Sequence, residues 1–359
     1  MKKKILYIAP DIRVKGGISS VIKSYLISEL SMKYKIFRVS SHRDGNKVLK
    51  IFTALCGMIS AIFCMTLRKI DIVHIHGSDV VSSLRKYLFL KVINSFKCKI
   101  IYHFHGASFM EQYALKPTLW QNRLKYLFSK SDLVICLSKS WENKIHEIVP
   151  TAKTIVLKNA VSLPSDFHHL SEEKDYSVNL IFLGLIGERK GVFDLLKVVE
   201  RLKKSGNNIK LFIGGNGEVA RLQSMIKSLL LEETVYFMGW ITDEKKAGLF
   251  RRSDIFVLPS YGEGMPMSIL EAMSYGLPVI STNIGGIPDL VKDNETGFLI
   301  QPGDLDAMYE KLELLIKDKK LRACMGKNAR EMIETDYNLD LNISKLDTIY
   351  QNLLETGQY

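Results

Sequence analysis

The chain has 359 residues, of which 47% are apolar and 25% are charged. This length corresponds to about two domains of roughly 150 residues each, and the ordinary composition excludes a disordered tail, a collagen-like fibre and a disulfide-stapled scaffold. The formal charge of +12 is uneven, because residues 1–170 carry 27 Lys and Arg against 10 Asp and Glu, whereas residues 171–359 carry 23 against 28. The basic half suits an anionic partner such as nucleic acid, a membrane surface or a phosphorylated substrate.

Predicted strands and helices alternate along the first half of the chain. The strands are 5–9, 34–39, 70–75, 99–104 and 133–137, and the helices are 18–30, 51–67, 80–96 and 119–128. Because apolar strands alternate with helix-length segments, the pattern predicts a parallel sheet covered by helices on both faces.

The helix predicted over 51–67 is almost entirely apolar. A membrane span needs about 20 such residues, and Thr53, Gly57, Ser60 and Thr66 interrupt the stretch, so we expect a buried or surface-lying helix. The apolar run after the N-terminal lysines is too short for a signal peptide. The five cysteines form no C-x-x-C pair, and their apolar or helical surroundings predict buried, reduced thiols in a cytoplasmic protein.

A polar, aperiodic segment at 163–176 is predicted to be a linker, after which the alternation restarts. The strands are 179–184, 209–214, 235–238, 255–258 and 278–281, the helices are 192–204, 219–230, 244–251 and 267–275, and helices fill the remainder from about residue 304. The sequence therefore predicts two doubly wound domains, 1–170 and 171–335, with a C-terminal helical stretch, 336–359. Ligands of such sheets bind beyond the carboxyl ends of the strands, and two domains would place those ends around one cleft.

Two segments of the first half follow predicted strands. Lys15-Gly16-Gly17 opens a helix and is either a close-approach loop for an anion or a plain tight turn. His103 and His105 end the fourth strand, and we expect them on opposite faces of the sheet, with His105 toward a ligand. No third ligand at suitable spacing is visible, so a metal site is not expected there.

Two segments of the second half carry charges at strand ends. Arg189-Lys190-Gly191 follows the first strand of this half, where cations can hold a diphosphate and stabilise a leaving group; a solvated pair at a helix start is the alternative. The stretch from Glu263 to Glu271 leads from a glycine-containing loop into a helix, whose N-terminus favours phosphate. Glu271 lies about one turn into that helix, where a carboxylate can accept hydrogen bonds from a ribose.

In this order the segments resemble the retaining family-4 glycosyltransferases of the GT-B fold. The resemblance covers nearly the whole chain and is strongest over 180–303, in Arg-Lys-Gly-Val at 189–192, Pro-Ser-Tyr-Gly-Glu-Gly-Met-Pro at 259–266 and Gly-Gly-Ile-Pro-Asp at 285–289. It implies an α/β architecture of two Rossmann-like doubly wound domains facing a central cleft. The N-terminal domain would bind the acceptor and the C-terminal domain a nucleotide sugar, and the last helix would cross back to the N-terminal domain.

The resemblance also implies roles for individual residues. Lys190 would bind the donor diphosphate and ease its departure, and Glu263 and His105 would contact the transferred sugar. Many relatives carry Gly-Arg where this chain has Gly184-Leu185, so Arg189 is the candidate replacement for that arginine. The other donor-binding positions are Gly16, Gly17, Gly264, Met265 and Met267 at the diphosphate and sugar, Glu271 at the ribose, and Met238 and Gly239 beside the base. No metal or other cofactor is implied, which fits the single D-x-D at 304–306, predicted to be a helix N-cap.

Relatives with similar first domains often build bacterial capsule, O-antigen or lipopolysaccharide on lipid carriers. A basic first domain with an apolar 51–67 helix is expected to rest on the anionic inner face of the plasma membrane and reach such an acceptor. Nucleic acid is disfavoured, because aromatic residues do not alternate with the basic ones as stacking platforms. A nucleotide-sugar epimerase, a sugar phosphorylase and a non-catalytic sugar-binding protein of the same fold are open alternatives.

Overall fold

The computed structural model describes residues 2–106, 109–165 and 177–355, except for the side chains of Lys47 and Asp243. The chain forms two compact units, of which the first comprises Met1–Ala160 and Leu339–Tyr359 and the second comprises Val161–Asn338. The C-terminal helix is thus part of the first unit. The predicted boundary between residues 170 and 171, and most of the predicted linker, lie outside the described residues.

The first unit is built on a six-stranded parallel sheet in the order β2-β1-β3-β4-β5-β6. Its strands are β1 (Lys4–Pro10), β2 (Lys35–His42), β3 (Ile72–Gly77), β4 (Lys99–Phe104), β5 (Leu133–Cys136) and β6 (Thr154–Val156). The inner strands β3 and β5 are buried along their whole length. This burial is the expected result for apolar runs with helices on both faces of the sheet.

The helices of the first unit are α1 (Gly17–Ile27), α2 (Leu30–Lys33), α3 (Lys47–Arg68), α4 (Val80–Ile93), α5 (Phe109–Ala114), α6 (Thr118–Ser129), α7 (Lys139–Ile148) and the last helix, α15 (Leu339–Glu355). The single helix predicted over 18–30 is two helices, because Ser28 interrupts it. The Ser28 hydroxyl donates to the Tyr25 carbonyl oxygen and accepts from the Leu30 N–H. Helix α15 is fixed to the sheet by a 3.0 Å hydrogen bond between the hydroxyls of Tyr350 and Tyr7.

Helix α3 carries apolar residues on both of its faces. Its inner face packs against β2 and α4 through Ala61 and Met65, and an added Cβ at Gly57 would lie 2.4 Å from the Ser40 carbonyl oxygen. Its outer face is more than half exposed at Val48, Ile51, Phe52, Leu55, Ile59, Phe63 and Leu67. These positions recur every three or four residues and form one stripe, here called the α3 stripe. The helix has 22 residues rather than 17, and by length and composition alone it could cross a membrane.

The prediction of buried thiols is only partly correct. Cys136 is buried and Cys64 and Cys98 are half-buried, but Cys56 and Cys324 are exposed. Cys56 belongs to α3, where apolar neighbours do not mark the interior because the outer face is itself apolar. All five thiols are free of disulfide bonds.

The second unit has its own six-stranded parallel sheet, in the order β12-β11-β10-β7-β8-β9. Its strands are β7 (Val178–Leu183), β8 (Ile209–Gly214), β9 (Val235–Gly239), β10 (Ile255–Leu258), β11 (Val279–Thr282) and β12 (Gly297–Ile300). The helical segments are the 3₁₀ turn η1 (Glu188–Lys190) and the helices α8 (Val192–Lys204), α9 (Val219–Ser228), α10 (Asp243–Arg251), α11 (Met267–Ser274), α12 (Ile287–Leu290), α13 (Leu305–Lys317) and α14 (Lys319–Asp336). Two parallel sheets with helices confirm the predicted pair of Rossmann-like domains.

Candidate active site

The charged strand-end residues of the second unit meet at one point of its sheet. Strand β7 lies next to β10 in the sheet, although β8 and β9 come between them in the sequence. Ligands of doubly wound sheets bind beyond the carboxyl ends of the strands at such a switch point. Lys190 follows β7 and Glu263 follows β10, so both predicted loops flank the expected ligand position.

The loop after β10 is held between two neighbouring segments that approach it through glycines. Gly191 has a φ of +69°, and an added Cβ there would lie 2.0 Å from the Pro259 carbonyl oxygen. Gly285 has a φ of +54°, and its Cβ would lie 1.9 Å from the Glu263 carbonyl oxygen. A left-handed backbone without room for a side chain requires glycine at both positions. These two glycines therefore fix the backbone that carries Glu263.

Lys190 and Glu263 form an ion pair at the switch point. The Lys190 ammonium donates to Oε1 of Glu263, and the Ser260 hydroxyl donates to the same oxygen at 2.8 Å. Their side chains are only 13% and 7% exposed. Two donors on one nearly buried carboxylate hold it in a single orientation. The pair thus places a cation and a carboxylate side by side at the end of the sheet.

Arg189 connects η1 to the loop after β10. Its Nη1 donates to the Gly262 carbonyl oxygen at 2.6 Å, and the Tyr261 N–H donates to the Arg189 carbonyl oxygen at 2.8 Å. Leu185, at the position where the family resemblance implies arginine, is 46% exposed. The guanidinium of Arg189 therefore stabilises the loop that bears Glu263.

The segment from Glu263 into α11 offers backbone N–H groups. Among the described residues, no acceptor pairs with the N–H of Glu263 or Gly264, and the first N–H groups of a helix have no intrahelical partner. Met265 and Met267 are 4% and 9% exposed, so their side chains anchor this segment in the core. Such a segment is suited to receive an anion.

Glu271 on α11 is paired with Lys246, a residue outside the predicted site. Lys246 of α10 donates to its Oε1 at 2.6 Å, and both side chains are part-exposed. Within the described part of the chain, the second carboxylate oxygen of Glu271 has no partner. No motif marks Lys246, which stands in a charged run at the start of α10.

The predicted base-binding residues lie at the end of β9, the edge strand of this sheet. Met238 is 42% exposed, and the following Trp240 is 43% exposed. Gly239 has a φ of +66° with nothing within 4 Å of an added Cβ. The strand end therefore presents apolar surface beside an open backbone position.

Gly16 and Gly17 begin helix α1 after β1. Gly16 is its N-cap and has an extended backbone, with a φ of 164°. An added Cβ at this position would meet nothing within 4 Å. Neither a turn nor packing therefore explains the glycine at position 16.

Four histidines stack at the carboxyl ends of β3 and β4. The expectation that His103 and His105 lie on opposite faces is wrong, because residues two apart on a strand share a face. Their ring centroids are 4.3 Å apart. Strand β3 pairs with β4 so that His76 lies beside His103. His74 on the same strand stacks on His76, with 4.3 Å between the ring centroids. The expectation that no third potential ligand lies nearby is therefore also wrong, since the neighbouring strand supplies two histidines.

The stack is hydrogen-bonded rather than arranged around an ion. Nitrogens of His74, His76 and His103 lie within 4.8 Å of one another, but these rings are within 30° of parallel. The lone pairs lie in the ring planes, so stacked rings do not converge on one ion. Instead, His74 Nε2 lies 3.2 Å from His103 Nδ1, and His76 Nδ1 lies 2.9 Å from His105 Nε2. The hydroxyl of Tyr350 lies 2.6 Å from His74 Nδ1.

Burial keeps the four histidines neutral. It lowers the pKa of His74 and of His105 to about 3. Burial, with the neighbouring histidines, lowers the pKa of His76 and of His103 well below the ordinary value. A neutral His105 can exchange hydrogen bonds with a ligand but offers it no charge.

Comparison with known proteins covers both halves of the chain. Residues 166–332 match the family described as Glycosyl transferases group 1, and residues 39–163 match Glycosyltransferase Family 4. The chain is 28% identical over 293 residues to N-acetyl-alpha-D-glucosaminyl L-malate synthase of Bacillus anthracis, covering 79% of this chain and 75% of that protein. It is 26% identical over 312 residues to the putative colanic acid biosynthesis glycosyltransferase WcaL of Escherichia coli K12, covering 84% and 74%.

Solved structures share the fold. Sucrose-phosphate synthase of Thermosynechococcus elongatus superposes with a TM-score of 0.83 at 18% identity, covering 99% of this chain and 100% of that one. HepE of Anabaena, in complex with UDP-glucose, superposes with a TM-score of 0.77 at 16% identity, covering 98% of this chain and 100% of that one. Both family matches and both Rossmann-like units agree with the motifs at 189–192 and 259–271. The chain is an enzyme that belongs to the family-4 glycosyltransferases of the GT-B fold.

Proposed function

We propose that the chain transfers a sugar from a UDP-sugar to a glycan or lipid-linked acceptor in polysaccharide biosynthesis, with retention of the anomeric configuration. The observation that carries the donor assignment is the Lys190–Glu263 ion pair between the ends of β7 and β10. A leaving diphosphate gains negative charge as its bond to the sugar breaks, and a fixed ammonium stabilises that charge. Glu263 already holds Lys190 in place, so little reorganisation is needed.

In the proposed step, the bond between the sugar C1 and the diphosphate oxygen breaks, and the acceptor oxygen bonds to C1 on the same face. The departing diphosphate oxygen takes the proton of the acceptor hydroxyl, so that the charges balance without a separate base. Glu263 orients the transferred sugar, and the backbone of Gly264, Met265 and Met267 holds the phosphates. Arg189 keeps this loop in position through its bond to the Gly262 carbonyl oxygen.

The remaining donor contacts follow from the chemistry at the strand ends. Glu271 accepts hydrogen bonds from the ribose diol through its unpaired oxygen, and Met238 and Gly239 lie beside the base. UDP is the proposed nucleotide because HepE of Anabaena, which shares the fold, was solved with UDP and with UDP-glucose. On the strength of the resemblance, we assign neutral His105 to the transferred sugar and the Gly16-Gly17 backbone to the diphosphate.

Transfer is proposed to need no metal ion or other cofactor. A divalent cation in a phosphate-transfer site acts mainly by neutralising the charge that develops on the leaving oxygen. Lys190 supplies that positive charge here, and the first-turn N–H groups of α11 supplement it. The prediction is that chelation leaves the rate of transfer unchanged.

The first unit is proposed to lie on the inner face of the plasma membrane through the α3 stripe. Exposed apolar side chains along one face suit a helix that lies in the plane of a bilayer surface. Lys50 near the start of α3, and Arg68 and Lys69 at its end, suit anionic headgroups. This placement would give the enzyme access to an acceptor carried on a lipid.

Binding of the donor is tested by thermal shift with a panel of nucleotide sugars. One UDP-sugar should stabilise the protein by mass action, by about 2.7 kcal/mol at a hundredfold excess over its Kd. Glu271→Gln should lose the shift, and Glu200→Gln, whose part-exposed carboxylate pairs with Lys204 on α8, should keep it. No shift with any UDP-sugar would refute the donor assignment.

Turnover distinguishes the alternatives that share the fold. A transferase releases UDP only when an acceptor is present, and proton NMR of the product should show the anomeric configuration of the donor. Release of a new nucleotide sugar without an acceptor would indicate an epimerase, and sugar-1-phosphate formation would indicate a phosphorylase. Binding without turnover across the acceptor panel would indicate a sugar-binding protein.

A further inference from the structure

Two cations converge on one serine at the end of β2. Lys86 of α4 is completely buried, and its ammonium donates to the Ser41 hydroxyl at 2.5 Å. Nη1 of the neighbouring Arg85 lies 3.5 Å from the Ser41 carbonyl oxygen. The Ser41 hydroxyl in turn donates to the Ala9 carbonyl oxygen at 3.1 Å. Both cations therefore use neutral oxygen atoms as partners.

No carboxylate of the described residues forms an ion pair with either cation. Asp79 attracts both from a distance, but its side chain caps α4 by accepting from the Ser82 N–H. Burial, together with Arg85, lowers the pKa of Lys86 to about 7. Removing an ammonium from water without a counter-charge is strongly unfavourable. Folding alone therefore gives no reason for a lysine at this position.

His42, the last residue of β2, adds an unsatisfied group beside these cations. Its Nδ1 is buried and has no hydrogen-bond partner among the described residues. Burial lowers the pKa of His42, and Arg85, Lys50 and Lys86 lower it further. A neutral histidine can donate one N–H to an anion. Ser41, His42, Arg85 and Lys86 are together called the β2-end cluster.

The β2-end cluster lies where a ligand of the first unit is expected. It stands at the carboxyl end of β2, next to the end of β1, and ligands of doubly wound sheets bind beyond such ends. Arg85 and His42 are part-exposed and would meet an incoming anion, while buried Lys86 adds charge behind Ser41. Helix α3, with its exposed stripe, follows β2 directly in the chain and packs against it.

We infer that the β2-end cluster binds a phosphate group of the acceptor. The inference rests on the proposed transferase function, and it names the acceptor class as a phosphate-bearing molecule. A phosphate would supply the counter-charge that Arg85 and Lys86 lack, and a phosphate oxygen would accept the His42 N–H. The phosphate belongs either to a lipid carrier or to a soluble acceptor, and both share this chemistry.

Calorimetric titration of the full chain with inorganic pyrophosphate, in the presence of saturating UDP, tests the site. Arg85→Gln and Lys86→Met should each weaken pyrophosphate binding roughly 10- to 100-fold, the effect of one charge-assisted hydrogen bond. Lys91→Met, an exposed change on the same helix, should bind as the wild type does. Lys86→Met should also melt at the same or a higher temperature without ligand, because it removes an unpaired buried charge. A lysine with a purely structural role would give the opposite shift.

Two further comparisons distinguish a lipid-borne phosphate from a soluble one. They also distinguish failure of the donor proposal from failure of the anion-site proposal. Phosphatidylcholine vesicles with polyprenyl diphosphate should bind better than plain ones, and Arg85→Gln should abolish the preference, if the phosphate is lipid-borne. Pyrophosphate binding without a vesicle preference would support a soluble acceptor. Equal binding of both probes by wild type, Arg85→Gln and Lys86→Met would overturn the inference. If UDP itself produces no thermal shift while pyrophosphate binding still depends on Arg85, the donor proposal fails and the anion site stands.

Discussion

The histidine stack makes the stability of the first unit steeply dependent on pH. Burial lowers the pKa of His74 and His105 to about 3 in the folded unit, against about 6.5 in an unfolded chain. Between these values the unfolded chain binds protons that the folded unit excludes. The free energy of unfolding therefore falls as the pH falls below about 6.5, and the contribution is complete above that pH.

The magnitude follows from the number of histidines that stay neutral. Each neutral histidine lowers the free energy of unfolding by about 1.4 kcal/mol per pH unit below its pKa in the unfolded chain. His74 and His105, with pKa values of about 3, therefore lose about 4 kcal/mol together by pH 5. The pKa values of His76 and His103 are lowered in the same direction, so both residues add to this loss. Small domains have a total stability of about 5 to 15 kcal/mol. The first unit should therefore lose a large part of its stability between pH 6.5 and pH 5.

Urea unfolding at several pH values between 7.5 and 5 measures this effect. Trp141 reports on the first unit and Trp240 on the second. The described part of the second unit contains no histidine, so its urea midpoint should change little over this range. His103→Gln should reduce the pH slope of the first unit. A free energy of unfolding for the first unit that is constant to within about 1 kcal/mol from pH 7 to 5 would show that the buried histidines do not govern its pH dependence.

Three further predictions concern the membrane surface and the donor site. Phe52→Ser and Phe63→Ser should each weaken binding to anionic vesicles about 10- to 100-fold in co-sedimentation. These rings are 63% and 56% exposed, and a buried Phe ring covers about 150–250 Å². Unchanged binding would exclude the α3 stripe as the contact. Gly285→Ala should lower the affinity for UDP, measured by calorimetry, more than about tenfold. The reason is that the added Cβ would lie 1.9 Å from the Glu263 carbonyl oxygen. A wild-type affinity would show that the loop adapts. Lys246→Met should raise KM for the donor several-fold with kcat retained, since it releases Glu271; a loss confined to kcat would contradict a ribose-positioning role.

Elements with strong periodicity could be predicted from the sequence, and surfaces could not. The strand at 209–214 and the helix at 192–204 match β8 and α8 at both ends, because buried strands and amphipathic helices have distinct apolar periods. The exposure of the α3 stripe was not specified by its pattern. Both faces of that helix are apolar, so hydropathy alone does not show which one packs against β2.

The histidine stack and the β2-end cluster depend on strand order and register. His76 lies beside His103 only because β3 pairs with β4 in that register, and the sequence spacing between them carries no such information. Lys86 reaches Ser41 across 45 residues of chain. In the second unit, by contrast, Lys190 and Glu263 each follow a recognisable strand, so a parallel sheet was enough to place them at the same edge.

Lys190 is proposed to stabilise the leaving diphosphate during sugar transfer. The most direct test is the rate of acceptor-dependent UDP release by Lys190→Ala, measured beside Lys204→Ala, whose lysine pairs with Glu200 on the surface of α8 at 2.6 Å. Lys190→Ala should lower kcat by about 10² to 10³, and Lys204→Ala should turn over like the wild type. A Lys190→Ala enzyme with nearly wild-type turnover would contradict this role.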